Sequence, residues 1–302
     1  MSAILSLQFT IFGLIAVGFF LKRLRIIGDD GQRNLNDLVI NVILPCNIFK
    51  AFLAGDTDGN LLTYVSVFLF SLGIQLFSVF YGKLVFRKVS AEKKKCLEYA
   101  TVCSNSGFLG NPVAEGLYGM QGLILASIYL IPLRVMMWTS GIPIFAGTHS
   151  KSETIKKVAT HPCILACLFG ILAMLTHLRL PDGLLGIINA LANCNTALSM
   201  VIIGMILTDL HPSQLWDKDV LIYCIHRLLI LPALVFLACG LLRFDSMVRN
   251  LCVILCAMPA GATTSILAQK YNMEPIFGTK LVVTSTLMSL PTLFFWITLL
   301  MR

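Results

Sequence analysis

Cys103–Gly119, CSNSGFLGNPVAEGLYG, lies inside an apolar stretch long enough to cross a bilayer, yet sets Ser104, Asn105, Ser106, Gly107, Gly110, Asn111 and Pro112 close together. Proline has no amide hydrogen and its ring collides with the carbonyl four residues back, so the pattern predicts a helix broken at Gly110 and Pro112. In hydrocarbon an opened backbone is tolerated only where protein packs around it or where it lines a wet cavity. Taken alone, the stretch fits a simple proline kink equally well. A second stretch argues for the break. Cys256–Asn272, CAMPAGATTSILAQKYN, repeats the design 153 positions later, with Cys103 on Cys256, Val113 on Ile266 and Tyr118 on Tyr271. Both pass from apolar residues through a small, polar middle to a helical exit that ends on Tyr and a turn residue. Pro259 and Gly261 mark the second break. Two interrupted apolar segments at corresponding places in two halves point to a secondary transporter with its site at the repeat interface.

Composition agrees. The chain of 302 residues is 57% hydrophobic and 13% charged, with a mean hydropathy of +0.84. Soluble domains carry about 25% charged residues, so this is an integral membrane protein and not a soluble enzyme. The net charge of +8 comes from basic residues in short loops between apolar spans. That distribution sets topology and argues against a nucleic-acid partner. The ten cysteines form no CxxC pair, and several lie in apolar spans without a neighbouring His or acidic cluster. They read as small packing residues, and no metal, cofactor or catalytic group is expected. The N-terminus is apolar almost from residue 3 and has no basic leader, which predicts a retained first helix.

A spanning helix needs about 20 predominantly apolar residues. On that measure spans fall at 3–21, 35–54, 61–86, 97–118, 121–147, 161–178, 184–208, 220–242, 249–271 and 276–301. Five precede Lys151 and five follow it. The expected fold is an all-α integral membrane protein of ten transmembrane helices, built as two five-helix repeats, 1–148 and 161–302, joined by a short cytoplasmic connection at 149–160. An odd number of spans per repeat forces the two to insert in opposite senses. Helices 4 and 9 are the interrupted ones. Lys22, Arg23, Arg25 and Arg33 after span one, and Lys93, Lys94 and Lys95 after span three, place these loops in the cytoplasm and both termini outside. The expected location is the cell (plasma or inner) membrane.

Polar residues inside the spans are the candidate site. Span two carries Asn36, Asp37 and Asn41, then Pro45 and Asn47; span seven carries Asn193, Asn195, Thr196 and Ser199 in the matching place. Such residues let helices pack closely and hydrogen-bond in lipid, and Asn47 and Asn193 are counted with the site. Asp37 and Lys50 read as snorkelling side chains. His226 and Arg227 lie in the inner third of span eight. Arg134 falls near the middle of span five, where a guanidinium is costly and faces a cavity or a partner. It either recognises a ligand or pairs with a carboxylate such as Glu115.

With these residues in view, the chain resembles the auxin efflux carrier family of the bile-acid/arsenite/riboflavin transporter group, in its short prokaryotic form. Asn105, Gly110, Pro112, Tyr118 and Gly119 resemble the family's first crossover. Pro259, Gly261, Ala268, Tyr271, Asn272 and Pro275 resemble the second, and Asn36, Pro45 and Phe49 also fit. The resemblance implies a scaffold beside a mobile transport part that holds the substrate at the crossed helices, with Asn105 contacting a substrate carboxylate. Short members are associated with malate or malonate uptake. Thr264 departs from the second proline of the plant carriers, and Arg134 stands where those carriers have a neutral glutamine, which suggests a more anionic substrate.

A helix broken at mid-membrane exposes two kinds of backbone group. N-termini near Asn111–Glu115 and Gly261–Thr264 suit a carboxylate, and free C-terminal carbonyls suit Na+ or a protonated partner. Asn105, Asn111, Thr263, Thr264 and Ser265 add neutral hydrogen bonds, and Arg134 offsets charge. The expected function is transport of a small organic anion by alternating access, with the lipid bilayer as surroundings. The coupling ion, H+ or Na+, and the assembly state, a homodimer included, stay open. The alternatives are a membrane ligand sensor on a transporter fold, a Na+-coupled symporter and a cation/proton antiporter. An intramembrane hydrolase would need a His beside a GxSxG-type turn, and none is present.

Overall fold

A computed structural model describes residues 2–54, 61–137, 139, 144–145, 155–156, 158–209 and 216–301. These residues are helical apart from turns and one isolated bridge. The helices are α1 (Ser2–Arg23), α2 (Asp29–Leu53), α3 (Leu61–Val85), α4 (Ala91–Val102), α5 (Ser106–Met136), α6 (Pro162–Leu175), α7 (Asp182–Asp209), α8 (Lys218–Leu241), α9 (Ser246–Cys256), α10 (Thr263–Lys270) and α11 (Pro275–Leu300). Six of them, α2, α3, α5, α7, α8 and α11, are long and apolar enough to cross a membrane, and α6 and α9 are shorter apolar helices. Each apolar span read from the sequence falls on one or two of these helices. The far end of the fifth span and most of the 149–160 connection lie outside the described residues.

Two of the interruptions are real chain breaks. Helix stops at Val102 and resumes at Ser106, and it stops at Cys256 and resumes at Thr263. Gly110 and Pro112, expected at the first break, lie beyond it inside α5. The physical reason is a widened π-turn at Ser106–Gly110, in which the Asn111 N–H reaches the Ser106 carbonyl five residues back. The same device occurs at Val39–Ile43 before Pro45 and at His226–Ile230 before Pro232. A proline cannot use the carbonyl four residues back and collides with it; one widened turn removes both problems without ending the helix. The carbonyl four residues before Pro232, that of Leu228, accepts instead from Trp296 Nε1 at 2.8 Å.

Gly119 ends the first exit helix. Its φ of +59° and ψ of −147° belong to glycine, and the chain turns there before continuing to Met136. Asn272, its counterpart 153 positions on, is also left-handed at φ +49°. Arg25, His177 and Arg243 take left-handed conformations at the ends of α1, α6 and α8. After each, the next N–H bonds back across the last turn, as Ile26 N does to Leu21 O at 3.0 Å.

The helices pack as two groups that meet where α5 touches α2, α6 and α7. α1 lies along α7, α2 along α6, and α7 also meets α2; α3 packs on α4 and α5, α8 on α9, and α10 on α11. In lipid no hydrophobic force draws helices together, so small residues that admit close backbones decide where they meet. Gly18 and Gly204 do this between α1 and α7, where a Cβ would strike the carbonyls of Val201 and Ile15. Gly170 of α6 leaves room for the Phe52 ring of α2, 2.7 Å from where its Cβ would stand.

Candidate functional site

The two breaks cross and pair. Ser104 and Ala260 form an antiparallel bridge, in which Asn105 N donates to Pro259 O at 2.8 Å and Gly261 N to Cys103 O at 3.0 Å. Ala260 N donates to Ser285 Oγ at 3.1 Å, which ties the crossing to α11. Glycine at 261 is required by close approach: a Cβ there would stand 2.9 Å from the Cys103 carbonyl oxygen. Gly110 has a similar role, since its Cβ would meet Leu255 of α9 at 2.7 Å. It is a contact residue and not the break.

The N-terminal side of the crossing collects polar groups with unused capacity. The first exit helix begins at Ser106, earlier than the Asn111–Glu115 region expected from the sequence, and the second begins at Thr263. Asn105 is buried, and its side chain has no hydrogen bond among the described residues. Asn111 is fully buried with neither side-chain atom bonded, and Thr264 is fully buried with a free Oγ1. Leaving such groups unsatisfied costs about 1–3 kcal/mol each. Thr263 is engaged, accepting from the Tyr99 hydroxyl at 3.0 Å.

The C-terminal side is different. Its carbonyls were expected to be free for a cation, and side chains occupy them instead. Arg227 of α8, fully inside the protein, donates from Nε to Met258 O at 3.0 Å and from Nη1 to Thr101 O at 3.1 Å. The Tyr223 hydroxyl, one turn earlier, donates to Ala100 O at 3.0 Å. Ser106 Oγ donates to Leu255 O at 2.9 Å and pairs with Ser104 Oγ at 2.6 Å. Sequence reading noticed Arg227 but gave it no place at the crossing. Its only sequence signal is a buried-depth cation five residues before a proline.

Arg134 is buried and points to α6, against His161, Cys163 and Cys167. Its Nη1 has no partner. No ion pair among the described residues joins it to Glu115, whose carboxylate accepts from Asn47 Nδ2 at 3.1 Å. The structural pairing considered for Arg134 is therefore absent. Asn193 is exposed and accepts from Lys50 Nζ at 2.8 Å, away from the crossing. Asn195, two residues on, is the buried one and has a free Nδ2.

A cavity of about 860 Å³ opens between α1, α2 and α7 on one side and α10 and α11 on the other. At its mouth Lys22 bonds Asp29 at 3.0 Å and Asp209 at 2.5 Å. Its inner wall includes Ala262 and Ser265, at the start of the second exit helix, and Thr279. Ser265 and Thr279 share a hydrogen bond of 2.7 Å between their hydroxyls. Among the described residues no group of His, Cys, Asp and Glu could hold a metal ion.

This arrangement has known relatives. The family model described as membrane transport protein matches residues 3–159 and 148–297. An uncharacterized transporter of Methanothermobacter thermautotrophicus is 27% identical over 287 residues, which cover 94% of each chain. One of Methanocaldococcus jannaschii is 25% identical over 285 residues, 90% of this chain and 91% of its own. The uncharacterized transporter YfdV of Escherichia coli (strain K12) is 23% identical over 297 residues, 94% and 93% of the two chains. The chain belongs to the membrane transport protein family, the auxin efflux carrier family that its crossover motifs resemble.

Proposed function

We propose that this protein is a secondary transporter that moves a small organic anion, a carboxylate such as malate or malonate, by alternating access at the helix crossing. The observation that carries the reading is the pairing of the two broken segments, Asn105 N to Pro259 O and Gly261 N to Cys103 O. It brings the N-terminal ends of two helices together beside Asn105, Asn111 and Thr264, whose side chains have unused hydrogen-bonding capacity. Helix N-termini carry partial positive charge and free N–H groups, which suit a carboxylate. Arg134, a buried cation with a free N–H, supplies countercharge for a second carboxylate. Asn47 and Asn193 belong to the helices that flank the path.

In this reading the chain is two inverted five-helix repeats, 1–148 and 161–302, with both termini outside a cell membrane. The cavity mouth at Lys22 and Arg33 then faces the cytoplasm, and the conformation is inward-open. The carbonyls taken by Arg227 and Tyr223 favour coupling to protons, or no coupling, over Na+. A thermal-shift screen of the purified protein against mono-, di- and tricarboxylates tests the reading. A ligand that binds the folded state raises apparent stability as RT ln(1 + [L]/Kd). Selective stabilisation by dicarboxylates is expected, and indifference to every carboxylate would exclude an organic-anion substrate of this class.

A further inference from the structure

We infer that Arg227 is a tethered cation occupying the place at the helix crossing that a small alkali cation would otherwise take. The inference rests on the transporter reading only for its biological sense; the chemistry stands on the geometry. α4 and α9 both end at the crossing, and each helix C-terminus carries roughly half a negative charge. Two such ends together balance about one positive charge. The Arg227 guanidinium sits between them, bonded to Thr101 O in α4's last turn and to Met258 O just past α9. No carboxylate pairs with it among the described residues. A buried guanidinium without a counterion is expensive, so the converging carbonyls are its compensation.

The surrounding structure fixes the side chain. Arg227 lies in the widened turn His226–Ile230, which Pro232 imposes. The Leu228 carbonyl in that turn is held by Trp296 of α11, and Tyr223 holds Ala100 O on the same helix face. In broken-helix transporters, unwound carbonyls and half-helix C-termini are what coordinate Na+. Here the oxygen ligands are already used by a charge that cannot leave. The consequence is that the wild-type crossing has no requirement for Na+, and that removing the guanidinium without replacing its charge should create one.

The test compares apparent unfolding temperature in NaCl, LiCl, KCl and choline chloride at one ionic strength, without carboxylate. Wild type is expected to unfold at the same temperature in all four. Arg227→Asn should unfold several degrees lower in choline and regain part of the loss in Na+ or Li+. Arg227→Lys, which keeps a charge, should be destabilised and remain indifferent to the salt. Specific stabilisation of wild type by Na+ would overturn the inference, as would a folded Arg227→Asn that ignores alkali cations. If Arg227→Asn cannot be recovered, the lysine variant decides: a folded, salt-indifferent protein supports the tethered cation, and equal loss of both variants overturns it. None of these outcomes depends on which anion is carried. A failed carboxylate screen with the expected salt responses would count against the substrate and leave the role of Arg227 standing.

Discussion

Replacing Gly261 by alanine tests the crossing most directly. The added Cβ would stand 2.9 Å from Cys103 O and 3.3 Å from both Ser104 O and Thr263 Oγ1. The first two are backbone atoms of the paired segment, so no side chain can rotate away. Comfortable carbon contacts begin near 3.5 Å, and relief requires the two segments to part by about half an ångström. That movement stretches the Gly261 N to Cys103 O bond from 3.0 Å and the Asn105 N to Pro259 O bond from 2.8 Å. Overpacking a tight site costs about 1–3 kcal/mol, and a buried bond left unmade adds about 1–3 kcal/mol. The expected loss is thus about 2–6 kcal/mol, read as a fall of several degrees in apparent unfolding temperature in detergent. Gly73→Ala is the control, because a Cβ at Gly73 in α3 meets nothing within 4 Å and alanine is the better helix former by about 1 kcal/mol. If Gly261→Ala unfolds at the same temperature as Gly73→Ala, the two segments do not pair as described.

Asn105→Ala should weaken carboxylate binding by about 1–3 kcal/mol, or roughly 5- to 150-fold in Kd, in a thermal-shift titration. Arg134→Gln should move the ranking of competing ligands from dicarboxylates toward monocarboxylates; an unchanged ranking would remove Arg134 from the site. At the loop end of α4, Lys93 binds Asp217 at 3.1 Å and Asp219 at 3.6 Å. Burial alone would raise the Asp217 carboxyl, but the Lys93 ammonium and the Asp219 N–H outweigh it and hold it below the usual carboxylate range. A depressed carboxylate stabilises the fold above its unfolded value and loses that contribution as pH falls through the folded one. The stability difference between wild type and Asp217→Asn should therefore be constant at neutral pH and shrink progressively once pH falls below about 4. Asn47→Ala removes the bond to Glu115 and should speed amide hydrogen exchange over residues 113–118 while leaving 263–270 unchanged.

Apolar length and the two polar interruptions make the helical segments and the crossing readable in the sequence, because hydrocarbon forbids opened backbone without a reason. The position of the first break was not readable to the residue. Pro112 is a strong breaker in isolation, but a π-turn absorbs it, and nothing local distinguishes a proline that ends a helix from one preceded by a widened turn. The helix ends at Arg25, His177 and Arg243 carry no glycine to announce them. Of the two deep arginines, sequence favoured Arg134 for the crossing and passed over Arg227, because depth is visible in a hydropathy pattern and facing direction is not. Asn193 and Asn195 show the same limit: two residues apart on one helix, one bonds Lys50 at the surface and the other is buried with a free N–H.

The distribution of polar bonds fits movement of one helix group against the other. Arg227, Tyr223 and Trp296 join α8 to α4, to the second break and to α11, so the crossing cannot shift without carrying α8 along. Lys22 with Asp29 and Asp209, and Lys50 with Asn193, bind α1, α2 and α7 to one another. Among the described residues the side-chain bonds across the boundary between these groups are few: Asn47 to Glu115, a weak contact of Cys167 Sγ with Ser127 O at 3.8 Å, and Arg134 beside Cys163. The polar cavity opens along the same boundary, so few directional bonds tie the two groups together there. A net hydrogen bond contributes about 0.5–1.5 kcal/mol, so Asn47–Glu115 biases a two-state equilibrium by only about 2- to 13-fold. Glu115 lies on the first exit helix, and the second exit helix walls the large cavity. In the proposed alternating-access reading, a bond of that size would help to hold one state closed, yet be weak enough for a bound anion to shift the balance.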